Sequence, residues 1–300
     1  MKKILLTGAN GQLGKSLRCI FDARSDIGYI ATDLSDPDNK GITIVDLTDA
    51  DAVSKLVAYG FDYIVNCAAY TAVDKAEDEP EKCMAANVDA IENLARAAAR
   101  YDTRVIHIST DYVFSGEGFR PYTPDSPLAP KSVYGTTKME GEWRLAEQMS
   151  HENYVVIRTA WLYSMYGNNF VKTMLRLGAE RSELKVVADQ IGSPTYAPDL
   201  AEAIMTIIDS PEFEAGIYHY TDEGVASWYD FTVAIFELAQ ISNCHVQPCA
   251  SEDYPTKARR PFYSVLSKDK IRDTYGVKTP YWRDSLKKCI SLLLKNGISD

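Results

Sequence analysis

The chain has 300 residues, 46% of them hydrophobic, and a formal net charge of -10; that suffices for one large α/β domain or a domain with a smaller lobe. The charge argues against nucleic acid and anionic membrane surfaces as partners, which call for a basic face, while a nucleotide stays open because a few backbone N–H groups can hold a phosphate locally. No apolar run of about 18 residues marks a membrane span, and the apolar stretch after Lys2 and Lys3 stops at Leu6, too short for a signal peptide, so a cytoplasmic protein is expected.

In chain order, residues 3–6 predict a short apolar strand, followed by glycines and a helix over about 12–23. Residues 29–33 and 42–46 predict the second and third strands. Residues 49–59 predict a helix, with Asp49 and Asp51 near its start, where acids meet the positive end of the dipole. A buried strand follows at 63–68, then one long alanine-rich helix over 80–101 and a strand at 104–109. Repeated βα units of this length imply a parallel sheet covered on both faces. A loop rich in proline and glycine over 116–130 precedes a helix over about 133–149 and a strand at 154–159. Residues 169–179 predict a helix and 185–188 a short strand. After Gly192 the pattern changes. Pro194 and Pro198 break the chain, helices are predicted at 199–209 and 228–239, and a strand at 216–220. Pro248, Pro255, Pro261 and Pro280 then punctuate a less regular region. Cys19, Cys67, Cys83, Cys244, Cys249 and Cys289 form no CxxC pair and read as free thiols. Cys244, His245 and Cys249 lack a fourth zinc ligand, so no metal is expected.

Gly8-Ala9-Asn10-Gly11-Gln12-Leu13-Gly14 lies directly after a predicted strand and opens a predicted helix. In that context Gly8 permits a tight turn, Gly11 lets the backbone approach a pyrophosphate, and Gly14 lets the helix pack on the strand. Phosphates then sit at the helix N-terminus, which makes Gly8, Asn10, Gly11, Gln12, Leu13 and Gly14 candidate cofactor residues. Asp33 ends the second strand, where an acid bonds a ribose hydroxyl. It repels a 2′-phosphate and favours NAD over NADP, with Lys15 and Arg18 as offsetting cations. Asp46 and Leu47, after the third strand, are expected near the adenine.

Tyr134 and Lys138 are four apart on a predicted helix and so share one face. An ammonium beside a phenol is expected to pull the tyrosine pKa down from about 10, and the pair then suits proton transfer to a carbonyl oxygen. Ser109 and Thr110 end a buried strand, at the ligand-facing edge of a parallel sheet. Thr110 is the candidate donor to a developing oxyanion. Strand alternation lets only one of Ser109 and Thr110 face the site.

Together these residues resemble the extended short-chain dehydrogenase/reductase family, and the resemblance narrows to its dTDP-4-dehydrorhamnose reductase group. Asn66-Cys67-Ala68-Ala69-Tyr70-Thr71-Ala72-Val73-Asp74-Lys75-Ala76-Glu77 is similar to NAAAYTAVDKAE, with Cys67 as a departure, and 109–114 matches STDYVF. Tyr134-Gly135-Thr136-Thr137-Lys138 resembles YGKTK, Arg158-Thr159-Ala160-Trp161-Leu162-Tyr163 resembles RTSWVY, and Gly167-Asn168-Asn169-Phe170 matches GNNF. Asp189-Gln190-Ile191-Gly192-Ser193-Pro194-Thr195 resembles DQxGxPT, and Tyr254-Pro255-Thr256 with Arg260-Pro261 matches YPT…RP.

The resemblance implies an α/β fold, a Rossmann-type doubly wound parallel sheet with a smaller C-terminal α/β substrate lobe. Residues 1–165 with parts of 180–240 are assigned to the NAD(P)-binding domain, and the remaining segments, mainly 166–180 and 240–300, to the substrate lobe. It implies reduction of the C4 ketone of dTDP-4-dehydro-L-rhamnose by NADPH or NADH, with Thr110, Tyr134 and Lys138 as the catalytic set. Ala68, Ala69, Tyr70, Tyr134 and Lys138 are expected along the cofactor. Val73, Thr110, Asp111, Tyr134 and Trp161 are expected at the sugar, and Asn169 and Arg260 along the nucleotide sugar. Group members with metal-bridged dimers carry an acid beside the glycine motif; Lys15 stands there instead, and a monomer or homodimer is expected. The alternatives are an epimerase or reductase acting on another 4-keto sugar, and a non-catalytic NAD(P)-binding regulatory subunit, which the intact Thr110, Tyr134 and Lys138 disfavour.

Overall fold

The computed structural model of the chain describes residues 1–296. Strand β1 (Lys2–Thr7) leads through the glycine turn into helix α1 (Gln12–Asp22), followed by β2 (Ile27–Asp33), β3 (Thr43–Ile44), α2 (Ala50–Val57) and β4 (Tyr63–Asn66). Next come α3 (Val73–Ala76), α4 (Pro80–Met84), a π-helical turn (Ala85–Asp89), α5 (Ala90–Arg100) and β5 (Arg104–Thr110). After a 3₁₀ turn (Asp111–Val113) stand α6 (Val133–Gln148), β6 (Tyr154–Thr159), β7 (Leu162–Tyr163), α7 (Phe170–Glu180), β8 (Glu183–Val187), β9 (Ile191–Gly192) and β10 (Thr195–Tyr196). The chain continues with α8 (Ala197–Asp209), β11 (Gly216–His219), β12 (Ala226–Ser227), α9 (Trp228–Leu238), β13 (His245–Cys249), α10 (Asp269–Tyr275) and α11 (Trp282–Asn296).

Seven strands form one sheet in the order β11-β6-β5-β4-β1-β2-β3, and every pair in it is parallel. The order reverses between β1 and β4, which opens a crevice at the carboxyl ends of those strands. In β1, Ile4 and Leu6 pack with Leu13, Leu17 and Phe21 of α1 and Leu200, Ile204 and Ile207 of α8. Leu5, between them, packs with Val53 and Leu56 of α2 and Ile91 and Leu94 of α5 on the opposite face. A strand that buries both of its period-2 faces belongs inside a doubly wound sheet, as expected from the sequence. A third apolar cluster lies beyond the sheet and joins Val171 and Leu175 of α7, Phe231 and Ile235 of α9, and Leu286 and Ile290 of α11.

Four local expectations are corrected. The third strand pairs over only two residues, Thr43 and Ile44, against Thr32 and Asp33, because Asp46 turns back to cap Thr48. Residues 80–101 are not one regular helix, since the π-helical turn interrupts them. Pro198 does not break the chain; it stands in the first turn of α8, where a missing N–H costs nothing. The proline-punctuated end is more regular than expected. Pro248 lies in β13, which pairs on one side with β8, and α11 buries Leu286, Cys289, Ile290 and Leu293 at helical spacing. All six cysteines are free thiols.

Candidate active site

The turn from β1 into α1 lies directly on the segment after β4. Gly8 has φ +67, and a Cβ there would stand 2.6 Å from Ala68 N. A Cβ on Gly14 would stand 2.2 Å from Gly8 O, so α1 packs against its own turn. Gly11 is the N-cap of α1; among the described residues no side chain caps it, and the first turn holds no acid. The N-terminal N–H donors of an eleven-residue helix are thus left for an anion. Leu13 points into the core, so it has only its backbone to offer that anion. Asn10 donates its N–H to Asp33 Oδ2 (2.9 Å), and Leu34 N donates to Oδ1 (2.8 Å), which fixes the Asp33 carboxylate beside the turn.

Of the expected offsetting cations, Lys15 lies over the Tyr166 ring, 5.9 Å from its centroid. Arg18 is the one that acts on the β2 side, where it influences Tyr29 and Asp36. Asp46 stands at the sheet edge and accepts from Thr48 N and Oγ1 (2.9 and 2.7 Å), and Leu47 is buried beside it. After β4, Ala68 N donates to Asn66 Oδ1 (3.2 Å). The backbone of Tyr70, beyond Ala69, is held at both N and O by the Asn87 side chain (2.9 and 3.2 Å).

The second half of the site gathers at the end of β5. Ser109 turns to the buried Glu142–Arg158 ion pair. Thr110, on the alternate face, accepts from Tyr112 N (3.3 Å) and lies near enough to the Tyr134 phenol to oppose the rise of its pKa, so the alternation selects Thr110. Helix α6 reaches this end because it carries glycine where it meets backbone. A Cβ on Gly135 would stand 2.3 Å from Tyr112 O, and one on Gly141 2.2 Å from Asn87 O in the π-helical turn. Ser132 caps α6 by accepting from Gly135 N (3.1 Å), which starts the helix one residue before Tyr134. The ring of Tyr112 packs edge-on against that of Tyr134, centroids 5.4 Å apart. Arg260 Nη1 donates to the Tyr112 hydroxyl (3.2 Å) and Nη2 pairs with Asp74 (2.6 Å); Asp74 follows Val73 in α3.

Lys138 is buried and donates to Ile108 O (2.7 Å). Desolvation lowers its pKa to about 8. His107 Nε2 lies 3.4 Å from its Nζ, and burial holds His107 neutral. The expectation that the lysine pulls the Tyr134 pKa down is corrected. Desolvation is the largest influence on the phenol, and it raises the pKa above the usual 10. At neutral pH Tyr134 therefore keeps its proton, the state a proton donor needs. Asp111 is 2% exposed. Its Oδ1 accepts from Thr110 Oγ1 (3.0 Å), and among the described residues Oδ2 has no partner in hydrogen-bond geometry. Burial raises its pKa to about 6, against the opposing influence of Ser264 and Thr110.

Trp161 has φ +50, a left-handed conformation that costs a bulky residue on the order of 1–3 kcal/mol. It stacks on Trp228, centroids 3.5 Å apart, and a Cβ on Gly192 would stand 2.7 Å from its indole. Asn169 caps α7 and donates to Gln12 Oε1 (3.0 Å), so it lies with the glycine turn rather than with Tyr134. The structure thus gathers Thr110, Asp111, Tyr134 and Lys138 at one strand end, with Val73 and Arg260 approaching through Asp74 and Tyr112. The glycine turn, Asp33 and 68–70 line the adjacent crevice. Residue reading gave no role to Tyr112, Asp74, Asn87, Gly135 or Gly141. Of these only the two glycines left a signal, being unusual inside a helix pattern.

A family model described as RmlD substrate binding domain matches residues 1–294. The dTDP-4-dehydrorhamnose reductase of Aggregatibacter actinomycetemcomitans is 39% identical over 297 residues, covering 96% of this chain and 98% of that protein. The crystal structure of a dTDP-4-dehydrorhamnose reductase from Clostridium acetobutylicum superposes with a TM-score of 0.90 at 43% identity, covering 97% of this chain and 99% of that one. The dTDP-4-dehydrorhamnose reductase from Bacillus anthracis, solved in complex with NADP, superposes with a TM-score of 0.88 at 36% identity, covering 97% and 99%. With a match from the first residue to the last helix, the chain belongs to the RmlD substrate binding domain family.

Proposed function

We propose that this chain reduces the C4 ketone of dTDP-4-dehydro-L-rhamnose to dTDP-L-rhamnose with NADPH or NADH, in the cytoplasm, as a monomer or homodimer. The observation that carries the reading is the convergence of Thr110, Tyr134 and Lys138 at the end of β5, beside the uncapped start of α1. The residues present fit a dinucleotide. Gly8 and Gly14 leave no room for side chains, Gly11 adds none beside the turn, and the α1 N-terminus takes the pyrophosphate. Asp33 takes a ribose hydroxyl, and Arg18 eases the approach of a 2′-phosphate. When bound, the cofactor supplies the hydride.

Tyr134 gives its proton to the ketone oxygen as C4 is reduced. Lys138 holds the nicotinamide ribose. Val73, Asp111 and Trp161 bound the sugar, and Arg260 exchanges Asp74 for the diphosphate, since a guanidinium suits either oxyanion. We assign residues 1–165 with parts of 180–240 to cofactor binding and the remaining segments, mainly 166–180 and 240–300, to the substrate lobe. The separate cluster under α7, α9 and α11 supports a second lobe, to which Tyr163 and α9 also contribute, while Ile271 and Val277 pack with the sheet. Tyr134→Phe is expected to lose roughly 10²–10⁴ of kcat while cofactor affinity, read by fluorescence titration, stays within a few-fold. Near-normal turnover in that variant removes Tyr134 from the proton-donor role. Lys138→Ala is expected to weaken both cofactor binding and rate, and unchanged values contradict its assignment.

A further inference from the structure

Lys138 ends a row of buried polar groups that the reaction described above does not use. Thr7 of β1, Asn66 of β4 and His107 of β5 stand side by side across the sheet, Thr7 in register with Asn66 and Asn66 with His107, and all three are buried. Thr7 Oγ1 donates to Asn66 Oδ1 (2.5 Å), Asn66 Nδ2 meets His107 Nδ1 (2.9 Å), and His107 Nε2 meets Lys138 Nζ (3.4 Å). The direction of these bonds is fixed from one end. The backbone N–H of Ala68 can only donate, and it reaches Asn66 Oδ1 (3.2 Å), so the oxygen of the Asn66 amide faces Thr7 and Ala68. The other end of the amide only donates, so His107 Nδ1 accepts. Burial keeps the imidazole neutral, and a neutral ring whose Nδ1 accepts carries its proton on Nε2. His107 therefore presents an N–H to Lys138 Nζ.

We infer that His107 is a positioning residue that favours the neutral amine form of Lys138, with the lone pair of Nζ directed at the His107 N–H. The inference rests on the reading of Lys138 as the group that holds the nicotinamide ribose. An ammonium has three donors and no lone pair, so it meets the His107 N–H donor to donor. An amine has two donors and one acceptor position. It accepts from His107, donates to Ile108 O (2.7 Å), and keeps a single N–H for a ribose hydroxyl. Two of its three positions are thereby occupied, which fixes the rotation of the amine and the direction of the third. The titratable groups around Lys138 are Glu142 on its own helix, Cys83 on α4, Cys67 after β4 and His107 on β5. Desolvation, against the opposing influence of Glu142, Cys83 and Cys67, already brings Lys138 down to about 8. A donor aimed at Nζ acts in the same direction as desolvation, since it bonds to the neutral form only.

The test is nuclear magnetic resonance on the full chain, without substrate, with labelled histidine and lysine. The His107 signals, identified by their loss in His107→Phe, are expected to show a protonated Nε2 and a bare Nδ1 through neutral pH. The Lys138 side-chain signal, identified by its loss in Lys138→Met, is expected to titrate no higher than about 8, and at least about one pH unit higher in His107→Phe. Asn66→Asp keeps an oxygen for Thr7 and Ala68 but turns the donor facing His107 into an acceptor. It is expected to move the imidazole proton to Nδ1, leave an acceptor facing Lys138 and raise the lysine titration as well. A merely structural His107 predicts no such coupling between its tautomer and the lysine. If His107→Phe does not fold, the wild-type tautomer and Asn66→Asp decide. A proton on Nδ1 in the wild-type chain, or a Lys138 titration that stays in place in the folded variants, overturns the inference. None of these signals depends on the keto-sugar. A chain that leaves that sugar untouched defeats the proposed function alone, and the wrong tautomer defeats the role of His107 alone.

Discussion

Around Tyr134, burial rather than charge sets the protonation states. It raises the phenol and the Asp111 carboxyl and lowers Lys138, all away from their charged forms. Folding therefore works against ionised Asp111. Its folded pKa of about 6 exceeds the usual 3.8, so the penalty is absent below about pH 4 and complete above about pH 6. Asp111→Asn is expected to gain about 1–3 kcal/mol of stability at neutral pH. Denaturant melts should show that gain shrinking toward pH 4; a gain independent of pH contradicts a buried, titrating carboxyl. Asp33 makes a second case. Its carboxylate is held beside the glycine turn by two backbone N–H groups. Removing one charge there is expected to raise NADPH use relative to NADH by roughly tenfold in Asp33→Asn, about 1.4 kcal/mol. An unchanged ratio of kcat/KM values places the 2′-position elsewhere.

At the scale of elements, α6 is positioned by what it lacks. Gly135 and Gly141 let it press on the 3₁₀ turn after β5 and on the π-helical turn before α5, and that approach sets Tyr134 beside Thr110. Gly135→Ala is expected to cost roughly 1–3 kcal/mol through overpacking against a backbone carbonyl and to lower kcat with it. A variant with full stability and full activity contradicts this account of how the helix is placed. Elements with strong periodicity were readable in advance. The strands at 63–68 and 104–109 and the helix from Val133 were expected within a few residues, because buried strands and capped helices leave local signals. The π-helical turn left no such signal. It is stabilised by a tertiary contact of Asn87 with Tyr70 and Thr137, and alanine-rich sequence continues through it unchanged. Helix α11 had a legible apolar spacing, but the prolines before it drew attention to irregularity instead.

For the whole molecule, the parallel sheet was legible because its strands alternate with helices and lack polar faces, and because the glycine turn marks the crevice. Thr110, Tyr134 and Lys138 were legible as a group through their position at a strand end and on one helix face. Their electrostatics were not. Spacing on a helix places Lys138 one turn from Tyr134, but only the packed structure shows that the ammonium is drawn to Ile108 O and that desolvation outweighs its charge. The Arg260–Asp74 ion pair was not legible for a similar reason, since the two residues are 186 apart in the chain and meet only when it folds. The central claim, reduction of a nucleotide-linked keto-sugar, is tested most directly by following the reduced-nicotinamide absorbance of purified protein with NADPH or NADH and dTDP-4-dehydro-L-rhamnose generated in situ. A substrate-dependent loss of absorbance with dTDP-L-rhamnose as product is the predicted result. No loss with either cofactor, from protein shown to bind both, contradicts it.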